Sequence, residues 1–277
     1  MELQYTERPK GIDASNRALL DQLVRSISGP FTPGQTAKLL AMDVMHARKL
    51  LAYLASRGWL SRIRHGLYTT VPLGATAPAQ WREDPWIVAA ASFAPSYMAG
   101  WSAAEHWHFT EQIFRDVVVI TAATVRARMV TIQDTQFRLR HRKESEHFGL
   151  AIVWRNQTKV KVSDPTRTLI DILDDPALGG GIVHVAEILD AYVRSEHRND
   201  DKIIAYADRL GNHTVMKRLG YLLETLKIDA APLVEACLER RSSGLTKLDP
   251  SSKNPGRIMK HWGLRINATV QPKGHHS

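Results

Sequence analysis

Three helical segments separated by very short connections open the chain, and their order restricts the fold more than any other feature. Apolar residues recur at helical spacing over residues 13–28. Thr32 and Pro33 then begin a short second helix, because a threonine cap followed by proline is a typical helix start. Asp43 caps a third helix that runs to about Arg57. Two helices joined by so short a turn predict a helix-turn-helix.

A β-hairpin follows directly, in the stretch SRIRHGLYTT at residues 61–70. Gly66 can adopt the positive φ of a tight turn, and the alternation around it places Ile63 and Tyr68 inward. A hairpin placed directly after a helix-turn-helix is a wing. The sequence therefore predicts a winged helix-turn-helix DNA-binding domain over residues 1–78.

Basic and aromatic side chains lie outside the apolar stripe of the third helix and around the tip of the hairpin. In a winged helix such groups contact the major groove and the phosphates or minor groove of DNA. An ordinary solvated face is one alternative, and a protein-interaction module is another. The candidate DNA-binding residues are Thr32, Met45, His46, Arg48, Lys49, Tyr53, Arg62, Arg64 and His65.

The net charge of +9 is unevenly distributed along the chain. Lysine and arginine outnumber acidic residues by 11 to 5 in residues 1–82, by 9 to 3 in residues 124–161 and by 11 to 5 in residues 214–277. The intervening segments, residues 83–123 and 162–213, are acidic. Separate basic blocks indicate surfaces for a polyanionic partner, and nucleic acid is the first candidate.

A second domain is expected over residues 79–277, because 277 residues exceed what one hydrophobic core usually holds. Strands and helices alternate in its first part, and helices predominate after Pro165. Gly220 lies inside one of these helices, where it costs about 1 kcal/mol relative to alanine, so another element is expected to approach it closely. The predicted class is α+β, with an N-terminal winged helix-turn-helix followed by a larger, mostly helical α+β domain. Residues 1–12 and the tail 270–277 fit no element and are expected to be disordered.

Catalytic and metal-binding patterns are absent or incomplete in the sequence. It has no phosphate-binding loop, no nucleophile elbow and no zinc-binding HExxH helix. His106 and His108 are two residues apart, so they do not share a helix face. Asp171, Asp174 and Asp175 suggest a metal-dependent nuclease as an alternative, but a strand-borne acid is missing and a solvated helix end is the simpler interpretation. We expect no enzyme activity, no metal and no cofactor.

The single cysteine and the hydropathy pattern restrict where the protein works. Cys237 excludes an internal disulfide, and its place in an amphipathic helix predicts a buried thiol. No apolar run approaches the roughly 18 residues of a membrane helix, and the N-terminus lacks the apolar segment of a signal peptide. We expect a cytoplasmic protein without a membrane partner.

Four stretches together resemble, in order, the AbiEi family, the antitoxins of bacterial type IV toxin-antitoxin systems. They are GWLSRIRHGLYTT, SDPTRTLIDIL, MKRLGYLLE and HWGLRIN, and the similarity spans about residues 14–268. The resemblance implies a protein that represses its own operon by binding inverted repeats in operator DNA. It also implies a C-terminal domain that counteracts a cognate AbiEii-type nucleotidyltransferase toxin without an assumed stable complex. The antitoxicity candidates that it implies are Lys217, Arg218 and Tyr221, with a structural role as the alternative.

Overall fold

The fold is α+β, as the sequence predicts, in a computed structural model that describes residues 11–72, 74, 75, 77 and 80–271. The helices are α1 (Ala14–Ser26), α2 (Pro33–Leu39), α3 (Val44–Ser56), α4 (Pro85–Ser92), α5 (Gly100–His106), α6 (Pro165–Asp174), α7 (Ile182–Arg194), α8 (Asp200–Leu210), α9 (Thr214–Thr225) and α10 (Ala231–Arg240). The strands are β1 (Leu60–Arg64), β2 (Leu67–Thr70), β3 (Ser96–Met98), β4 (Val117–Thr121), β5 (Met129–Ile132), β6 (Thr135–His141), β7 (Leu150–Arg155), β8 (Thr158–Ser163), β9 (Thr246–Lys247), β10 (Arg257–Met259) and β11 (Leu264–Ile266).

Helices α1 to α3 and the antiparallel hairpin β1–β2 form the N-terminal unit. Leu23, Leu51 and Leu54 are fully buried where the three helices meet. Phe31 forms an isolated antiparallel bridge with Tyr68 of β2, so the connection between α1 and α2 pairs with the hairpin. The apolar stripes of the helices and the backbone pairing of the hairpin thus stabilise one small core.

A mixed six-stranded sheet, in the order β5-β6-β4-β3-β8-β7, forms the middle of the molecule. Strand β3 is parallel to β8 and β4 is parallel to β6, while the other neighbours are antiparallel. Phe137 and Val160 pack with Ile87 of α4 on one side of the sheet. Tyr97 and Leu178 belong to a separate cluster on the other side. The sheet is therefore covered on both faces over much of its area.

Helices α6 to α10 and the small sheet β10-β11-β9 build the largest core. Trp262 lies at its centre and is completely buried. Val270 packs into the same core, so the predicted disorder of residues 270–277 is wrong for this residue. Ile12 likewise packs in the N-terminal core, which corrects the predicted disorder of residues 1–12 at that position. Residues 1–10 and 272–277 lie outside the described residues.

The β1–β2 hairpin lies between the two parts of the molecule. Tyr68 packs in the N-terminal core, whereas Ile63 and Leu67 pack with Trp86 and Phe137 of the sheet region. The prediction that Ile63 and Tyr68 point inward is confirmed, but they enter two different cores. Both faces of the hairpin are therefore covered by protein.

Polar contacts reinforce the same boundary. Thr69 donates a hydrogen bond of 2.6 Å to Glu83, and Gln133 donates one of 3.0 Å to the hydroxyl of Ser61. Glu83 in turn donates its amide to the side-chain oxygen of Gln133. These contacts join the hairpin to segments that lie beyond the domain boundary predicted at residue 78. Among the described residues, none of the helices has the length and apolar character needed to cross a bilayer.

Candidate nucleic-acid interface

Capping interactions fix the turn between α2 and α3. Thr32 and Gln35 form a reciprocal capping box at the start of α2. Ala41 has a positive φ of 50° in the connection, and Asp43 accepts hydrogen bonds from the amides of Met45 and His46 at the start of α3. Thr32 is half-buried and its hydroxyl is used by this cap, so the structure gives it a local structural role.

The outward surface of α3 carries two exposed basic side chains and a large apolar one. Ala47, Leu50 and the other stripe residues are buried, while Arg48 and Lys49 are exposed. Neither Arg48 nor Lys49 has an ion-pair partner among the described residues. Met45 is 58% exposed on the same helix. Together they present positive charge and apolar surface to solvent from one rigid element.

His46 and Tyr53 are more constrained than these three residues. The ring of His46 contacts the carboxylate of Asp43. Hydrogen bonds from the His46 amide and ring lower the pKa of Asp43 below its ordinary value. Tyr53 is half-buried against the N-terminal core, and the guanidinium of Arg57 lies 5.3 Å from its ring centroid.

The hairpin tip holds Arg62, Arg64 and His65, and all three are exposed. Arg62 Nη2 lies 2.8 Å from Nδ1 of His65, so these two side chains form one basic pair. Arg64 instead donates a hydrogen bond of 3.2 Å to the carbonyl of Ser92 at the end of α4. The tip is thus partly free and partly attached to the sheet region.

The predicted DNA-binding residues therefore fall into two groups, one on α3 and one at the hairpin tip. The prediction omitted Val44, which is 45% exposed in the first turn of α3. Val44 lies three residues before Ala47 and seven before Leu51, in line with the buried stripe, so helical spacing predicts burial and no sequence signal marked it as exposed. Val44 and Met45 offer apolar contacts of the kind that recognise thymine methyl groups.

The antitoxicity candidates Lys217, Arg218 and Tyr221 are all buried on α9. Arg218 donates to four backbone carbonyls, those of Leu173, Asp174, Lys247 and Leu248, at 2.7–3.2 Å. Its guanidinium thereby donates to carbonyls at the end of α6, because the last carbonyls of a helix have no intrahelical hydrogen-bond donors. Burial lowers the pKa of Arg218, although Asp174 opposes that effect.

Lys217 makes a similar internal contact. Its Nζ donates to the carbonyl of Gly244 and lies 3.5 Å from that of Gly263. Burial lowers the pKa of Lys217, and the charge of Arg241 lowers it further. These positions connect α9 to the C-terminal segment and are not displayed at the surface.

The acidic residues that suggested a nuclease are engaged by neighbouring side chains. Asp171 is completely buried; it accepts a hydrogen bond of 3.0 Å from Arg167 and one of 3.1 Å from Tyr97. Burial raises the pKa of Asp171, against the lowering effect of Arg167. Asp174 contacts Arg142 and Asn212. Within the described ranges, no three His, Cys, Asp or Glu side chains come together as a metal site would require.

The fold of this chain also occurs in a solved structure. No family model matches the chain, and no curated protein matches it. The chain is similar to the Rv2827c protein from Mycobacterium tuberculosis, with a TM-score of 0.64 over 94% of this chain and 92% of that one. The two sequences are 17% identical, so this likeness establishes the fold alone.

Proposed function

We propose that the protein is a cytoplasmic transcriptional repressor and type IV antitoxin. In this proposal α1–α3 and β1–β2 act as a winged helix-turn-helix that binds inverted repeats in the operator of its own operon. The observation that carries the DNA-binding half is the outward surface of α3, where Met45, Arg48 and Lys49 are exposed and the two cations are unpaired within the described structure. The order of three helices and a hairpin supports the same function.

Exposed, unpaired cations on a rigid helix suit DNA because they can contact phosphates or guanine edges without first breaking an ion pair. We assign groove contacts to Val44, Met45 and Arg48, and phosphate contacts to Lys49. The hairpin contributes through Arg62 and His65. Arg64 contacts Ser92 instead, so we assign it the role of holding the hairpin against α4.

The antitoxin half of the proposal is supported by the resemblance of four stretches to the AbiEi family. We infer that the second unit counteracts an AbiEii-type nucleotidyltransferase toxin. Because Lys217, Arg218 and Tyr221 are internal, we infer that they support this activity by maintaining the packing of α9 and not by contacting the toxin.

DNA binding is tested with the purified full chain and a labelled duplex from the region immediately upstream of its own gene. The affinity should exceed that for a scrambled duplex and should fall steeply with added salt. Arg48→Ala should weaken operator binding about tenfold, and Arg25→Ala, which removes a cation paired with Asp21 on α1, should leave it unchanged. Equal affinity for both duplexes, or equal effects of the two variants, would contradict the proposal.

Antitoxicity is tested by co-expressing the chain with a cognate AbiEii-type nucleotidyltransferase and measuring growth. The parent chain should restore growth, and Arg48→Ala should restore it equally, because α3 serves DNA binding alone. Failure of the parent chain to restore growth would refute the antitoxin half and leave the DNA-binding half standing. The nuclease alternative gains no support from Asp171, whose carboxylate is bound by Arg167 and Tyr97.

A further inference from the structure

The outer edge of the six-stranded sheet carries exposed apolar side chains. Strand β7 is at the end of the strand order and pairs only with β8 in the described structure. Ile152 and Trp154 of β7 are each 60% exposed. They are two residues apart, so they lie on the same face of the strand, about 6.8 Å from one another along it. A large aromatic ring with this exposure needs an explanation.

Two lysines flank these side chains on the neighbouring strand. Lys161 is paired opposite Ile152, and Lys159 is paired opposite Trp154. The Nζ of Lys159 lies 5.0 Å from the ring centroid of Trp154. Both lysines are exposed, and neither makes an ion pair with a described residue. Ile152, Trp154, Lys159 and Lys161 form what we call the β7–β8 platform.

The turn that ends the platform adds hydrogen-bonding groups. Asn156 and Gln157 occupy this turn, and both are exposed. Asn156 has a positive φ of 52°, so the turn is tight and holds the two amides beside the platform. Side-chain amides can both donate to and accept from the edges of nucleic-acid bases.

We propose that the β7–β8 platform binds single-stranded RNA. An unstacked base stacks on Trp154, the lysines contact the flanking phosphates, and the turn amides reach base edges. Ile152 extends the apolar surface toward a neighbouring base. The ammonium of Lys159 lies over the ring of Trp154, so the incoming base displaces it, and the ammonium then contacts the flanking phosphate.

The charge of the platform distinguishes RNA from other occupants. Lysine is depleted from the centres of protein–protein interfaces, yet two lysines border the aromatic ring here. A second copy of the same platform would bring like charges together. Duplex DNA keeps its bases stacked inside the helix, so it cannot use the exposed face of Trp154. Strands with unstacked bases in a cell are chiefly RNA, because the chromosome is held as duplex.

The test uses the full chain and a short fluorescein-labelled oligouridylate, with binding followed by fluorescence anisotropy. The parent chain should bind, and Trp154→Ala should weaken binding by about tenfold. Trp154→Phe should retain most of the affinity, because it keeps an aromatic face. Ile113→Ala removes another apolar side chain, one that is 84% exposed outside the platform, and should have no effect.

The lysines are tested by the salt dependence of RNA binding. Lys159→Glu and Lys161→Glu should each weaken binding and reduce the slope of log affinity against log salt by about one. Lys253→Glu makes the same charge change at an exposed position elsewhere and should leave the slope unchanged. All these side chains are exposed, so the variants should unfold at the temperature of the parent chain.

Three results would overturn the proposal. The first is no binding of the oligouridylate, and the second is equal binding by the parent chain and Trp154→Ala. The third is tighter binding of an oligodeoxythymidylate or of poly-glutamate than of RNA, which would assign the platform to another polyanion. Operator binding through α3 is measured separately with duplex DNA, so either proposal can fail without the other.

Discussion

The indole of Trp262 packs directly on the backbone of Gly220: a Cβ added at Gly220 would lie 2.0 Å from Cη2 of the ring. Trp262 is completely buried, and its Nε1 donates a hydrogen bond of 2.7 Å to Glu224, which lies with Gly220 on α9. The expected close approach of another element to Gly220 is confirmed. The absence of a side chain at this position lets the C-terminal segment pack against α9.

Gly220→Ala should therefore destabilise the protein by about 2 kcal/mol, because the overpacking exceeds the gain in helix propensity. Urea unfolding followed by circular dichroism measures this change. Gly34→Ala in α2 is the matched control, because the nearest atom to its added Cβ is 3.9 Å away. The control should be neutral or slightly stabilising, and equal effects of the two variants would refute the steric explanation.

Arg218→Lys should destabilise the fold by about 2–4 kcal/mol, even though it retains the positive charge. One ammonium group cannot reach the four carbonyls that the guanidinium serves, so buried acceptors lose their partners. Lys217→Met should cost only about 1 kcal/mol, because it removes a charge whose pKa is already lowered by burial. Thermal unfolding should rank the two variants, and the reverse order would contradict the assigned role of Arg218.

Asp171→Asn should cost about 3–5 kcal/mol in unfolding free energy, because it leaves the buried guanidinium of Arg167 without a counter-charge. Asp175→Asn is the matched control: Asp175 is half-buried and lies 3.7 Å from Arg140, so its loss should cost less than about 1 kcal/mol. Denaturant titration of both variants measures the difference. If Asp171→Asn left the free energy of unfolding unchanged, the carboxylate of Asp171 would not stabilise the fold.

Asp13, the N-cap residue of α1, should make the stability of the protein depend on pH in the acidic range. Hydrogen bonds from the Asn16 amide, then from the side chains of Ser15 and Asn16, lower the pKa of Asp13 to about 2. The folded pKa lies below the unfolded one, so this stabilisation is complete above about pH 5 and is lost as the pH falls from about 4 toward 2. Asp13→Asn keeps a capping side chain that does not titrate.

The melting temperatures of the parent chain and of Asp13→Asn, measured across this range, test the prediction. Their difference should be constant near neutral pH and should shrink as the pH falls toward 2. A difference that does not change with pH would show that the Asp13 carboxylate is not held in its charged form.

Cys237 should be inert in the native protein. It is completely buried, and burial raises the pKa of its thiol to about 12. At about pH 8 a thiol-specific disulfide reagent should react only after denaturation, because the thiolate is the nucleophile. Ser243→Cys places a second thiol at an exposed position and should react at once. Rapid labelling of the parent chain would show that α10 opens.

Local features of the fold could be predicted because they follow from neighbouring residues. Thr32 and Asp43 cap helices, and the turn at Gly66 separates β1 from β2, as expected. The position of β3 could not be predicted: it has three residues, yet it lies between β4 and β8 in the sheet. Its pairing depends on partners distant in sequence, and such contacts leave little trace in local periodicity.

The candidate interfaces show the same limit. The exposed face of α3 follows from the spacing of its apolar residues, which the structure buries as expected. Alternation also predicts that Ile63 points inward, but not which core it enters. The burial of Lys217 and Arg218 could not be predicted, because charged residues are ordinarily exposed. Their carbonyl partners also lie 27 to 46 residues away along the chain.

Because both faces of the β1–β2 hairpin are covered by protein, the N-terminal unit cannot be separated from the sheet region without exposing apolar side chains. Cutting the chain at residue 78 would leave Ile63 and Leu67 facing water in place of Trp86 and Phe137. The first unit is therefore not an independent domain. Fused to another protein, it would expose an apolar surface that favours aggregation. Recombination that exchanges these units should preserve the hairpin together with the sheet region that receives it.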